Sequence, residues 1–201
     1  MIGLSLLVTS KDTRGLREFL AANQSKLDEI QELCLLIANG RSQAEIANRF
    51  AARASNEIVG IVHSDCNFAE GDFTTLTKTA AAGKVTGLVG ARLLEPHEDW
   101  TKKEVWGKMV LKETPVSTLD GCSVFFQRDI PVSFDPTFSG FHLVVEDFCL
   151  SAAEQGIPIV VPPVNANHIG QSTRKPEWQR EYAKWKEKLR KKWDGKIYET
   201  T

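Results

Sequence analysis

Apolar residues in this chain gather into short unbroken runs, and between the runs they recur every three or four positions. Ile2 to Thr9 is the first run and reads as a buried strand. Asp12 stands where a helix cap belongs, with Leu16, Phe19, Leu20 and Leu27 on one face of a helix extending to about Ile30. Leu33 to Ala38 is a second apolar run, closed by the turn signal Asn39-Gly40. Ser42-Gln-Ala-Glu45 has capping-box spacing, which predicts a helix from there to about Ala54. Glu57 to His63 is a central strand, Asp72 caps a short helix that Gly83 ends, and Val85 to Ala91 is another strand. Alternation of this kind predicts parallel strands joined by right-handed crossovers.

The texture then changes. Arg92 to Pro115 mixes charges with Pro96, Trp100, Trp106 and Gly107 and has no clean period, the mark of a functional or mobile segment, expected to close over a ligand. Val116 to Leu119 and Cys122 to Gln127 read as a strand pair around Asp120-Gly121, and Phe134 to Phe138 as a turn. A helix is predicted from Val145 to Gln155, stopping at Gly156, and a last strand from Ile157 to Val161, halted by Pro162-Pro163. Pro176 opens a final helix in which Trp178, Tyr182, Trp185, Leu189 and Trp193 form one aromatic stripe.

Composition narrows the picture only modestly. A chain of 201 residues, 42% hydrophobic and 25% charged, suits one domain with a sizeable core. A net charge of −1 gives no general pull towards nucleic acid, so none is expected as a partner. No apolar run reaches membrane-spanning length, and the first residues read as a strand, not a leader. The four cysteines (Cys34, Cys66, Cys122, Cys149) are scattered, without a Cys-x-x-Cys pair, which argues against zinc and for a reducing, cytoplasmic compartment. Charge is uneven, however: residues 174–196 carry a local +6, leaving −7 on the remainder. That basic final helix reads either as a solvated face of a helix packed on the domain or as a contact for an anionic membrane surface or phosphate-bearing acceptor.

The chemistry gathers where the central strand ends. Glu57-Ile-Val-Gly-Ile-Val-His63 is followed by Ser64 and Asp65, so His63 and Asp65 stand two residues apart at the carboxyl end of a buried strand, where open α/β sheets collect ligands. A carboxylate there suits a divalent cation, which in turn suits phosphate oxygens; the alternative is a turn or helix cap. The strand with His63-Ser-Asp65 resembles the Asp-x-Asp metal motif of glycosyltransferases with the GT-A fold, in particular a compact, bacterial-type subset of family 2 with His-x-Asp in its place. Asn48-Arg-Phe-Ala-Ala-Arg-Ala before it is similar to that subset's Asn-x-Gly-x-x-x-Ala helix. Phe134-Asp-Pro-x-Phe138 and Glu146-Asp147 resemble the family's approach to its Glu-Asp motif. The likeness runs from the first strand to about Thr173 and is densest over 48–68 and 116–172.

What the resemblance implies is a single GT-A-like α/β domain over residues 1–173, with a mixed, mostly parallel sheet flanked by helices, and a basic amphipathic helix over 174–201 packed on it. It implies sugar transfer with inversion from a nucleotide-sugar donor to the hydroxyl of a glycan, lipid-linked or protein acceptor, assisted by Mn or Mg. On that basis Asp65 and His168 are the expected metal ligands, and His63 a donor contact. Asp147 is the expected base, with Glu146 as runner-up. Thr9, Ser10, Asn39, Asn48, Asp120 and Gly121 are expected to line the nucleotide-sugar pocket, and Arg128 to lie near it. His168 also reads as a surface loop histidine, Asp120 as a turn residue, and Glu146-Asp147 as acids favoured by a helix dipole. Ala38-Asn39-Gly40 departs from the family's acidic Asp-Asn-Gly, which bears on uridine selectivity. The absence of G-x-G-x-x-G disfavours a dehydrogenase, and the lack of glycine in Val8-Thr-Ser-Lys-Asp12 disfavours a sugar nucleotidyltransferase. A non-catalytic nucleotide-sugar-binding or scaffold protein of the same fold is the rival reading.

Overall fold

The computed structural model describes residues 2–38, 40–93, 103–106, 110–140, 142–169 and 176–193. Its first half follows the alternation closely: β1 (Leu4–Ser10), α1 (Thr13–Asn23), β2 (Glu32–Ile37), α2 (Gln43–Ala51), β3 (Ile58–His63) and α3 (Asp72–Ala81), with the two-residue strand β4 (Cys66–Asn67) after β3. Asp12 caps α1 by accepting from the Gly15 amide at 2.9 Å, and Ser42 accepts from the Glu45 amide at the start of α2. Helix α1 stops at Asn23, short of Ile30, and the chain tightens into a 3₁₀ helix over Gln24–Glu29. The buried Asn23 amide explains the break: it donates to the Phe19 and Cys66 carbonyls and accepts from the Phe68 amide, tying α1 to the segment after β3.

Asp72 is not the cap of α3. Gly71, left-handed at φ 81°, takes that place, and the Asp72 carboxylate accepts from the amides of Ala69 and Asn165. Gly83, at φ 80°, ends the helix as the sequence predicts.

In the second half the structure departs further from local expectation. The run from Val85 to Ala91 is divided between β5 (Val85–Thr86) and β6 (Gly90–Leu93), which belong to different sheets. After β7 (Lys103–Trp106) and β8 (Thr114–Pro115), the expected hairpin around Asp120-Gly121 is likewise split: β9 (Thr118–Leu119) pairs β6, whereas β10 (Ser123–Gln127) pairs β3. Turn residues specify that the chain reverses, not which neighbour each arm will join. The fold closes with α4 (Val144–Glu154), β11 (Ile159–Val161), β12 (Asn167–His168) and α5 (Pro176–Trp193). Residues 94–102 and 107–109 of the irregular stretch between 92 and 115 lie outside the described residues.

The main sheet runs β2-β1-β3-β10-β5-β11-β8. β1 is parallel to β2 and β3, β11 is parallel to β5, and β10 runs against its neighbours β3 and β5. The sheet is thus mostly parallel, flanked by helices. Alternate side chains feed two cores on its opposite faces. Leu7, Val124 and Phe126 meet Phe134, Phe148, Trp185, Leu189 and Trp193 on one side, and Leu6, Val8 and Phe125 meet Phe19, Phe68, Phe73 and Leu76 on the other. Gly60 lets the second core close, since a Cβ there would stand 2.5 Å from the Phe125 ring. Trp185, Leu189 and Trp193 of the α5 stripe therefore face inward, and no described helix is long and apolar enough to cross a membrane.

Candidate functional site

Parallel pairing of β1 and β3 sets Thr9 beside His63, so Thr9-Ser-Lys11 and His63-Ser-Asp65 leave the sheet side by side. The Ser64 amide donates to the Thr9 carbonyl at 2.9 Å, and the Ser64 hydroxyl donates to Ser10 Oγ at 2.9 Å. Gly15 of α1 rests on these two hydroxyls, where a Cβ would stand 2.3 Å from Ser10 Oγ. Thr9 Oγ1 donates inward to the Val62 carbonyl. Thr9 and Ser10 are thus buried supports of the strand ends.

A second, non-local pairing completes the cluster. β12 runs against β4, placing His168 opposite Cys66, and the Ile169 amide donates to the Asp65 carbonyl at 3.0 Å. The Asp72 bond to the Asn165 amide steadies this returning segment. His168 then stands between two acids, with Nε2 3.4 Å from Asp65 Oδ2 and Nδ1 4.0 Å from Asp120 Oδ1. His63, Asp65 and His168 each offer one ligand atom, all within 4.8 Å of one another. In an octahedral shell with metal–oxygen distances near 2.1 Å, neighbouring ligand atoms stand about 3 Å apart, so Asp65 and His168 need little movement.

The electrostatics suit a cation. Burial alone would raise the Asp65 carboxyl, but the hydrogen bond and charge of His168 outweigh it and hold the group below its ordinary range. His168 is pushed up to about 11, first by Asp65 and then by Cys122, so without metal the two form an ion pair. Among the described residues Asp65 Oδ1 is buried without a hydrogen-bonding partner, which is uncommon in natural proteins. His63 is held below its ordinary value by burial, against the pull of Asp65 and Asp120. The Gln43 amide nitrogen lies 3.1 Å from His63 Nε2 and donates to it, which puts the ring proton on Nδ1. Gln43 and Lys11, whose charge reaches His63, were not singled out in the sequence, and nothing local marks Gln43.

Asp120 serves its turn, accepting from the Cys122 amide at 2.9 Å while flanking His168, and Gly121 borders open space. Asn48 does other work. Its amide donates to the Phe134 carbonyl at 2.7 Å and accepts from the Phe134 amide at 2.9 Å. With Arg128, which donates to the Ala54 carbonyl, Asn48 lines a cavity of about 390 Å³ at the amino end of β3, opposite to Asp65. The structure thus sets Asn48 and Arg128 at the end of β3 away from Asp65. Asn39 lies outside the described residues.

Glu146 and Asp147 share the first turn of α4 but face different ways. Asp147 is 1% exposed; it accepts from Trp193 Nε1 at 2.8 Å and from Lys192 Nζ at 2.9 Å, so α5 holds both of its oxygens. Burial raises its pKa against the pull of these two partners. Glu146 is half-buried, one turn before Cys149, whose sulfur accepts from the Leu119 amide just ahead of Asp120. Because α4 crosses back to the start of β11, which runs in the direction of β3, its amino end lies at the same end of the sheet as Asp65. The charge of Lys11 at the end of β1 also reaches His142, just before α4.

No known family profile matches the sequence, and no curated protein is similar to it. Solved structures are similar in fold. A197 from STIV has 19% identity and a TM-score of 0.51, over 85% of this chain and 87% of that one. GalNAc-T7, in a structure with UDP, GalNAc and Mn2+, has 9% identity and a TM-score of 0.62 over 97% of this chain; the match spans 49% of GalNAc-T7. S. aureus TarS has 14% identity, a TM-score of 0.49, and coverage of 80% of this chain and 35% of that one. At such identities the likeness is one of architecture, the GT-A-like α/β fold.

Proposed function

We propose that this chain transfers a sugar from a nucleoside-diphosphate sugar to an acceptor hydroxyl, with a divalent cation, Mn or Mg, held by Asp65 and His168. The observation that carries this reading is the Asp65 carboxylate at the carboxyl end of the central strands: its Oδ1 is buried with no hydrogen-bonding partner among the described residues, and its Oδ2 faces His168 Nε2 at 3.4 Å. The GT-A-like architecture supports it, as does GalNAc-T7, a neighbour in fold whose structure holds UDP, GalNAc and Mn2+. A bound divalent cation supplies Lewis-acid stabilisation of a departing diphosphate.

The remaining tasks fall to the chain's own groups. Lys11 brings positive charge to the diphosphate, and the His63 Nδ1–H donates to a donor oxygen. The backbone of Thr9 and Ser10, with the Asn39 turn, receives the nucleoside, while Asp120 and Gly121 border the sugar. Glu146 accepts the proton of the acceptor hydroxyl, and one carboxylate on the acceptor side suffices for inversion by single displacement. The acceptor is a glycan, a lipid-linked sugar or a protein. The four free thiols fit work in the cytoplasm, and the exposed basic side of α5 offers a peripheral contact for an anionic membrane.

A second reading, a nucleotide-sugar-binding protein without turnover, is favoured by the sealing of Asp147, the residue that matches the family's base. Calorimetric titration with UDP, GDP, CDP and dTDP, with and without manganese, tests both. Metal-dependent affinity is expected for one nucleotide, and Asp65→Ala should weaken it about a hundredfold while leaving the fold intact. Full metal-dependent affinity in that variant would remove Asp65 from the site. Saturable binding without product from a labelled donor would leave the second reading in place.

A further inference from the structure

We propose that Asp120, Cys122 and His168 form a second metal site, for a softer cation of the zinc class, which competes with the Asp65 site for His168. Their ligand atoms lie within 4.8 Å of one another, although the residues are two and forty-six positions apart in the chain. The imidazole links the sites: Nε2 faces Asp65 Oδ2 at 3.4 Å, and Nδ1 faces Asp120 Oδ1 at 4.0 Å. A thiolate, an imidazole and a carboxylate are a donor set for zinc or cobalt, and a poor one for manganese or magnesium.

The His168–Asp120 pair stands close to the spacing zinc needs. With zinc–nitrogen and zinc–oxygen distances near 2.0 Å, a tetrahedral shell sets the two atoms about 3.3 Å apart. Asp120 has less than about 1 Å to travel, and it stands exposed on a turn beside Gly121, which itself borders open space. The Cys122 thiol is anchored on its other side, 3.7 Å from Ser123 Oγ. Three protein ligands leave the fourth position to water. Binding expels the thiol proton to solvent, with no change of oxidation state.

The consequence follows from the single lone pair of a neutral imidazole. When Nδ1 ligates zinc, the proton sits on Nε2, which donates to the Asp65 carboxylate, a pairing common behind zinc-bound histidines. His168 is then withdrawn from the Asp65 site. Zinc binding itself stands apart from the sugar-transfer reading; only its antagonism of the harder cation rests on it.

Cobalt titration of the metal-free chain tests the site without any nucleotide. Tetrahedral visible bands and a near-ultraviolet thiolate-to-cobalt band are expected. Cys122→Ser should abolish the latter and weaken zinc, measured by competition with a chromogenic chelator, about tenfold or more. Asp120→Asn, on an exposed turn, should weaken zinc without disturbing the core, so the outcome is readable even if Cys122→Ser folds poorly. Zinc should suppress manganese-dependent UDP affinity in the parent and not in Cys122→Ser. A thiolate band that survives Cys122→Ser and disappears in Cys66→Ser, or zinc affinity unchanged in both Cys122→Ser and Asp120→Asn, would overturn the proposal.

Discussion

The two ends of β3 put their polar groups to opposite uses. At the amino end, around the cavity lined by Asn48, Arg128 and Phe134, the named polar groups close on backbone: Asn48 on both groups of Phe134, Arg128 on the Ala54 carbonyl. At the carboxyl end, Asp65 Oδ1 and Gln43 Oε1 are buried without hydrogen-bonding partners among the described residues, beside two histidines with shifted pKa values. This cavity sits at an end where the named polar side chains are hydrogen-bonded to backbone, and completed hydrogen bonds stabilise a fold without leaving groups to act on a ligand. Unfilled capacity at the strand carboxyl ends is the better guide to the site.

The same contrast recurs across one helical turn, and it yields the largest expected effect. Glu146→Gln should lower kcat about a hundred- to ten-thousand-fold with donor affinity nearly unchanged, because a base acts on the acceptor in the transition state. Asp147→Asn should instead leave kcat near the parent value and cost about 1–3 kcal/mol of stability, since Lys192 loses one of two carboxylates and the Trp193 bond becomes neutral. Denaturant unfolding and steady-state kinetics on both variants separate the roles. A rate collapse in Asp147→Asn alone would reverse them and require α5 to move during turnover.

At the closed end, Asn48→Ala leaves the Phe134 amide and carbonyl without side-chain partners. A loss of about 2 kcal/mol is expected by denaturant titration, with manganese-dependent UDP affinity unchanged. Impaired nucleotide binding at parental stability would erase the distinction between the two ends.

A further effect concerns pH. His168 rises from 6.5 to about 11 in the metal-free protein, so its pairing with Asp65 contributes stability that is complete below about 6.5 and is lost progressively as pH climbs towards 11. Between pH 6 and 8 the ring is therefore protonated, and a cation must displace that proton. Manganese-dependent affinity should rise about tenfold per pH unit over this range, and His168→Ala should flatten the slope. A parent protein with no pH dependence would show that the metal does not use His168.

Legibility in the sequence followed the range of the interactions. Caps and stops were readable because their bonds span a few residues: Asp12 with Gly15, Ser42 with Glu45, Gly83 after α3. The splitting of Val85–Ala91 and of the Asp120-Gly121 strand pair was not readable, because β6 and β9 find each other across more than twenty residues. Helix α1 stops at Asn23 for a similar reason, a buried amide bonded to Cys66 and Phe68 far along the chain. Within the site, Asp65 was visible as a carboxylate ending an apolar strand, whereas Gln43 had no local signal.

The amino-acid order by itself determined the periodicity, hence the strand–helix alternation, the two-sided sheet and the carboxyl end at which His63 and Asp65 emerge. Those features depend on backbone period and burial, which each segment carries alone. Which groups meet there was decided only by the tertiary structure. The β4–β12 pairing brings His168 to Asp65 from a hundred residues away, and the turn at Gly121 adds Asp120 and Cys122. The packing of α5 closes over Asp147 and leaves Glu146 on the other face of its helix. Neighbouring acids have no distinct fates in a linear pattern; they acquire them when each side of a helix meets a different surface.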